Sequence, residues 1–204
     1  MYIFQNKDLK KKLDKLIKTT NKIKIIKKNI KDVDSEQGFI LFDKKKKFYD
    51  LIILCIGGQS KLYSNIEEGR SIEKNYKEIA LTAIIKHNGK VKNVSQFFLK
   101  EGPLAVLPFE KKKFSTVWSI SSEFFYINKK KIKEIFTEKL KVLLKVKNIK
   151  NIINIQSFPI NLNLKTKYFK KNILILGDGL HTIHPLAGQG FNLVLRDIKK
   201  LKEL

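Results

Sequence analysis

Apolar positions along the chain fall into two periodicities. Leu9, Leu13, Leu16 and Ile17 recur at i, i+4, i+7 and i+8 among lysines, which predicts an amphipathic helix over 6–18 with one buried stripe. Ile23–Val33 and Gly38–Phe42 read as strands around the polar turn Asp34-Ser35-Glu36, and Lys44–Lys47 as a solvated turn. Phe48–Ile56 reads as a strand ending in Leu-Ile-Ile-Leu-Cys-Ile. An uninterrupted apolar run fits a strand covered on both faces, as in a parallel sheet, with Cys55 as a small core residue.

From about Tyr76 the pattern changes. Ile79, Leu81, Ala83 and Ile85 alternate, and Asn88-Gly89 follows as a hairpin signal with 91–99 as the return strand. On this reading His87 is exposed beside the turn. Leu104–Phe109 and Phe114–Ile120 form a second antiparallel pair. Ile132, Ile135, Phe136, Leu140, Leu143 and Leu144 mark a helix, and Ile152–Phe158 a further strand. The last region holds a buried strand, Asn172–Leu176, then a glycine-containing loop, then a helix from Gly190. The fold class is therefore α/β with α+β character: parallel-sheet elements at the two ends and a mixed sheet inserted between them.

Charge adds less than its size suggests. Lys+Arg total 43 against 19 Asp+Glu, a net charge of +24. A charge that large attracts nucleic acid, anionic lipid or acidic partners. Only Arg70 and Arg196 are arginines, however, and bidentate reading of bases needs arginine forks. The lysines are spread along the chain, so no nucleic-acid partner is expected, while attraction to an anionic membrane surface stands. The single cysteine excludes a disulfide framework and a cysteine-based zinc site. No apolar run approaches the length of a membrane span.

The stretch with chemistry in it is Ile173–Asp197, ILILGDGLHTIHPLAGQGFNLVLRD. A buried strand ends at Gly177-Asp178, where ligands bind in open α/β sheets, and a carboxylate there can accept hydrogen bonds from the hydroxyls of a sugar or ribityl chain. Pro185 stiffens the loop. Gly188 and Gly190 let backbone N–H groups approach a flat ligand, and the following helix turns its partially positive N-terminus towards it. This suits a group that becomes anionic, a phosphate or a reduced flavin. His181 and His184 could in principle chelate, but no third ligand lies nearby and no metal site is expected.

This segment resembles the second flavin-binding motif of the class A flavoprotein monooxygenases, and among them the ring hydroxylases of ubiquinone biosynthesis. Gly177, Asp178, His181, His184, Pro185, Ala187, Gly188, Gln189, Gly190, Asn192 and Asp197 match the motif; Gly179, Leu180 and Val194 depart from it. The segment from Gln96 to Pro108, followed by Trp118-Ser119, is similar to the family's substrate-domain pattern Phe-Leu-x-x-Gly-Pro-x-Ala-x-Leu-Pro and Trp-Ser. The resemblance implies a partial Rossmann-like FAD-binding domain, over 1–75 and 166–204, with a substrate domain inserted over 76–165. It implies FAD held by Gly177, Asp178, Pro185, Gly188, Gln189, Gly190, Phe191 and Asn192, with Asp178 on the ribityl hydroxyls, Pro185 against the ring, and backbone N–H groups around Gly190, Phe191 and Asn192 at the pyrimidine edge. The implied activity is hydroxylation of the aromatic ring of a polyprenylated phenol: NAD(P)H reduces FAD, and dioxygen then forms a flavin hydroperoxide that delivers one oxygen atom. No catalytic side chain is assigned, since this chemistry needs no nucleophile–base pair. Phe97 and Trp118 are candidates to line the substrate cavity; otherwise Tyr49, Tyr63, Phe97, Phe98 and Trp118 are expected in core or sheet packing.

The same resemblance implies a membrane-dissolved substrate. Peripheral association on the inner face of the cytoplasmic membrane, and a complex with other ubiquinone-biosynthesis proteins, follow as expectations. Two departures limit the match. The family's middle motif, Ala-Asp-Gly-x-x-Ser-x-x-Arg, reads Cys55-Ile56-Gly57-Gly58-Gln59-Ser60-Lys61-Leu62-Tyr63 here, so Ile56 replaces the Asp and Tyr63 the Arg. The family's opening βαβ unit with G-x-G-x-x-G has no counterpart before Gly177, and an incomplete member is expected. The alternative reading is a truncated non-catalytic remnant, or a basic protein that binds a polyanion or a membrane surface.

Overall fold

The computed structural model describes residues 5–58, 60–63, 66, 71–145, 149–183 and 189–203. In chain order the elements are α1 (Asn6–Thr19), β1 (Ile30–Asp34), β2 (Phe39–Phe42), β3 (Lys45–Phe48), β4 (Ile52–Leu54), β5 (Ser71–His87), β6 (Ser95–Leu99), β7 (Gly102–Glu110), β8 (Lys113–Ser121), α2 (Ser122–Ile127), α3 (Ile132–Leu144), β9 (Ile149–Lys165), β10 (Phe169–Lys170), β11 (Ile173–Ile175), β12 (His181–Thr182) and α4 (Gln189–Glu203). They form two compact units, 1–24 with 77–159 and 25–76 with 160–204. The sequence reading drew its boundaries at 75/76 and 165/166. β5 and β9 run through the boundary and contribute to both units.

The first unit is built on an antiparallel sheet in the order β9-β5-β8-β7-β6. Strand alternation puts Ile79, Leu81, Ala83 and Ile85 of β5 on one face, beside Phe114, Trp118 and Ile120 of β8 and Leu104 and Val106 of β7. The register aligns Leu81, Trp118 and Leu104 across three strands. α3 lays Ile132, Phe136 and Leu140, at i, i+4 and i+8, onto this face, and the Phe136 ring stacks on Trp118 at 5.5 Å between centroids. Each such side chain contributes roughly 1.5–3 kcal/mol by burial. The one buried hydroxyl on β8's inner row, Thr116, donates to the Ala105 carbonyl at 2.8 Å. α2, which the sequence reading missed, starts at Ser121, whose Oγ accepts from the Phe124 N–H at 3.1 Å as an N-cap.

Several expectations for this unit are corrected. The strand 95–99 does not return along β5: β5 pairs with β8, and β6 with β7, so Asn88-Gly89 opens a connection and not a two-residue hairpin. Pairing with β8 wins because it matches two long apolar rows over nine registered pairs. His87 is 1% exposed and lies beside the Phe114 ring, not in solvent. Phe98 points away from the core row and is 82% exposed. Trp118 is fully buried in the core and Phe97 packs at its margin. The helix α1 forms as expected, but none of its residues is buried.

The second unit contains an antiparallel meander, β1-β2-β3, and a three-stranded sheet in the order β10-β11-β4. Asp34 builds the β1–β2 turn by accepting from the Glu36 and Gln37 N–H groups at 2.8 and 2.9 Å. Lys44–Lys47 is not merely a turn. Asp43 and Lys44, both at positive φ, make the two-residue bend, and Lys45–Phe48 is an exposed edge strand. β4 and β11 pair in parallel, Ile52 with Ile173 and Leu54 with Ile175, as the two apolar runs predict. Their shared inner face (Ile52, Leu54, Ile173, Ile175) packs with Val33, Tyr63 and Ile66. The expectation of cover on both faces fails: Leu51, Ile53 and Ile56 are exposed, and so is Cys55, which is therefore not a core residue.

Candidate functional site

β4 and β11 run parallel, so their carboxyl ends lie side by side, and each breaks into a glycine turn there. After β4 comes Gly57-Gly58. After β11, Leu176 continues the pairing by donating its N–H to the Leu54 carbonyl at 3.0 Å, and the chain then folds into a single 3-10 turn, Gly177-Asp178-Gly179. Gly177 takes φ +74° and Gly57 φ +79°, conformations that favour glycine.

The two turns are locked together. A Cβ on Gly58 would lie 3.0 Å from the Asp178 carbonyl oxygen, so the backbones touch. Thr182 Oγ1 donates to that same oxygen at 3.1 Å. Beneath both sits Tyr63, 1% exposed, whose hydroxyl donates to the Gly57 carbonyl at 2.7 Å. A Cβ on Gly179 would come within 2.1 Å of that hydroxyl. Two departures from the family pattern are thereby one feature. Tyr63 stands where the middle motif has arginine, Gly179 where the later motif has alanine, and the tyrosine occupies the space an alanine methyl would need. Lys165 adds a cation 5.4 Å from the Tyr63 ring centre.

α4 packs against the Gly177–Gly179 turn, with the Val194 methyl 4.0 Å from where a Gly177 Cβ would stand. A hydrogen bond fixes it further along: His181 Nε2 lies 2.8 Å from Asp197 Oδ2, both side chains largely buried. The Nδ1 of His181 is shielded from solvent and has no hydrogen-bond partner among the described residues. His181 thus pairs with a carboxylate about two turns into α4. His184, its imagined metal partner, lies outside the described residues, among which no group of three or more metal-ligating side chains occurs.

Six of the expected site residues are described, on two packed elements. Gly177 and Asp178 form the turn, and Gln189, Gly190, Phe191 and Asn192 form the first turn of α4. Pro185 and Gly188 lie outside the described residues. The Asp178 side chain is exposed, and so are Gln189, Phe191 and Asn192. Among the described residues, nothing lies within 4 Å of a Cβ built on Gly57 or on Gly190. Space beside backbone N–H groups, a helix N-terminus and an exposed carboxylate at a strand end are the donor and acceptor set that a flavin's polar rim and ribityl chain require. Sequence reasoning expected Tyr63 in packing, as found, but missed Thr182 and the contact of Tyr63 with Gly179. A signal for the latter existed, since the only aromatic residue in the middle motif coincides with an extra glycine in the later one.

Comparisons with known proteins agree with this geometry. The family model described as FAD binding domain matches residues 50–203. The chain is similar to the ubiquinone biosynthesis monooxygenase COQ6, mitochondrial, of Danio rerio, 26% identical over 172 residues that cover 66% of this chain and 35% of that protein. It is also similar to the 3-demethoxyubiquinol 3-hydroxylase of Escherichia coli (strain K12), 44% identical over 45 residues, 22% of this chain and 12% of that one. Among solved structures it resembles MibH, a lathipeptide tryptophan 5-halogenase, with a TM-score of 0.71 at 14% identity, covering 98% of this chain and 38% of that one. At that identity the likeness shows the fold alone. The chain spans 35% and 41% of the first two curated relatives it matches.

Proposed function

We propose a flavin-dependent ring hydroxylase, starting from the fact that the chain belongs to the FAD binding domain family. The proposed reaction is hydroxylation of the aromatic ring of a polyprenylated phenol in ubiquinone biosynthesis, with FAD as cofactor, a nicotinamide cofactor as reductant and dioxygen as oxidant. The observation that carries it is the open cradle at the carboxyl ends of β4 and β11, bearing Asp178 and the first turn of α4. When bound, FAD supplies the electron transfer and the activation of dioxygen.

The residues of this chain bind and orient. Asp178 would accept hydrogen bonds from ribityl hydroxyls. The backbone N–H groups of Gly190, Phe191 and Asn192 would hold the polar rim of the ring, where the partial positive charge of the helix N-terminus favours an anionic form. Pro185, Gly188 and Gln189 would complete the loop between them. Tyr63 and Thr182 keep the two glycine turns in register, and the His181–Asp197 pair holds α4 against them. A substrate with a prenyl tail would be dissolved in lipid, and the proposal therefore includes peripheral association with the inner face of the cytoplasmic membrane and with other proteins of the same biosynthesis. None of the helices is long and apolar enough to cross a membrane among the described residues.

Titration of FAD into the protein, read by quenching of flavin fluorescence, tests the reading. Asp178→Ala is expected to weaken uptake about tenfold or more, the loss of hydrogen bonds to a charged acceptor. A folded protein that takes up no flavin overturns it.

A further inference from the structure

The antiparallel unit holds a hollow that the flavin cradle does not account for. A cleft of about 640 Å³ opens between the segment after β5 and the turn joining β7 to β8, lined by residues that include Lys90, Val91, Lys92, Pro108, Phe109 and Lys111. The local pattern builds it. Val91 is buried and joins the core, while Lys90 and Lys92 on either side of it are exposed, the alternation of an extended backbone. On the β7–β8 side, Pro108 and Phe109 are half-buried and Lys111 is exposed.

Three ammonium groups thus border one hollow. The carboxylate beside them is committed elsewhere: Glu110 pairs with Lys113 at 2.7 Å and accepts from Gln5 Nε2 at 3.2 Å. Lys90, Lys92 and Lys111 have no ion-pair partner among the described residues. A second hollow, of about 550 Å³ beside α3, differs in this respect, since its one lysine, Lys139, is paired with Glu101 at 2.7 Å.

Unpaired lysines are expected somewhere on a chain of net charge +24; the group behind these three is not. His87 is 1% exposed, and neither ring nitrogen has a hydrogen-bond partner among the described residues. Its ring lies near the Gly89 backbone, and Gly89 lines the cleft. A buried imidazole without a partner is costly, and the open space on the Gly89 side is this cleft. Lysines bind phosphate as point charges, Val91, Pro108 and Phe109 supply apolar surface beside them, and the volume falls within the roughly 300–1,000 Å³ of small-molecule sites.

We propose that this cleft binds a small phosphorylated ligand with a planar apolar body, of the nucleoside diphosphate class, its phosphates among Lys90, Lys92 and Lys111 and its base against Pro108 and Phe109. All of these residues lie in one unit, so the cleft and the flavin cradle stand or fall separately.

Isothermal titration of the whole chain with ADP, pyrophosphate and adenosine tests it. ADP is expected to bind at one per chain, about tenfold or more tighter than pyrophosphate or adenosine, each of which keeps only part of the contacts. Lys90→Ala/Lys92→Ala and Lys111→Ala should each weaken ADP binding by about tenfold or more, while Lys129→Ala/Lys130→Ala, at an exposed turn of the same unit, leaves it unchanged. The His87 ring signals in NMR spectra, assigned through His87→Leu, should move as ADP saturates. Flavin uptake by the Lys90/Lys92 variant should equal that of the natural chain. No ADP binding by the folded protein, binding that survives both cleft variants, equal loss in the Lys129/Lys130 variant, pyrophosphate bound as tightly as ADP, or His87 signals that stay in place at saturation overturns the proposal. So does single-stranded RNA bound more tightly than ADP with the same lysine dependence.

Discussion

A methyl group added to Gly102 would sit 2.0 Å from the Ser119 carbonyl oxygen; one added to Gly57 or Gly190 would touch none of the described residues within 4 Å. The contrast separates the two units. In the antiparallel unit, glycine is imposed by packing: β7 turns in from its hairpin with Gly102 at φ +131° and passes directly over β8. In the parallel unit, Gly57 after β4 and Gly190 at the start of α4 have no described residue within 4 Å of an added Cβ, while Gly58 between the turns is held by the Asp178 backbone. Gly57 is accounted for by its φ of +79°, but no described neighbour requires a glycine at Gly190, and the space there suits a ligand on the proposed reading. The covering of the two sheets tells the same story. The antiparallel sheet has an aromatic and aliphatic core beneath α3, while the sheet of β4 and β11 keeps one apolar face exposed beside the site.

The comparison can be broken most sharply at Gly102. Gly102→Ala should cost about 3 kcal/mol or more, from backbone overlap and a φ that alanine resists, and should lower the midpoint of a thermal melt followed by Trp118 fluorescence. A midpoint unchanged from wild type would mean that packing does not hold this glycine.

Tyr63 and Gly179 offer a second test, inside the parallel unit. Gly179→Ala should destabilise by about 1–3 kcal/mol in the natural background, and by much less in a Tyr63→Ala background, where only the Ile175 methyl 3.0 Å away remains tight, as a double-mutant cycle in urea would measure. Additive effects would dissolve the link between the two motif departures.

The pH dependence of stability should differ between the units through His87. Burial holds its imidazole below the ordinary histidine value of 6.5, with the nearby Gly89 backbone opposing this weakly, and neither ring nitrogen has a hydrogen-bond partner among the described residues. The unfolded chain therefore takes up a proton first as pH falls. Stability is fully present above about pH 6.5 and declines below it, ahead of the carboxylate limb. At lower pH Glu101, held down chiefly by the hydrogen bond from Lys139, loses its contribution as it is protonated. Denaturant titrations across this range should show the upper limb vanish in His87→Leu while the lower one stays.

The smallest effect has opposite signs in fold and function. Gly190→Ala should stabilise α4 by up to about 1 kcal/mol, since alanine is the better helix former and nothing obstructs its methyl. Flavin uptake by the same variant should fall, because that methyl enters the space beside the helix N-terminus. An alanine that leaves flavin uptake unchanged would return Gly190 to an ordinary helix position.

Much of this protein was legible in one dimension. Period and length gave α1, α3, the β7–β8 pair and the parallel partners β4 and β11, because each depends on side-chain alternation within a dozen residues. Motif spacing placed Asp178 and Gly190 on a strand end and a helix start. What the tertiary structure decided was partnership, which periodicity does not encode. It chose β8 over β6 as neighbour of β5, buried His87, exposed Phe98, left α1 uncovered, and set Tyr63 beneath Gly179 across more than a hundred residues of chain. An apolar stripe records only that a residue has something to bury. Which surface buries it is settled by register and by the shapes that meet, and those exist only once the chain has folded.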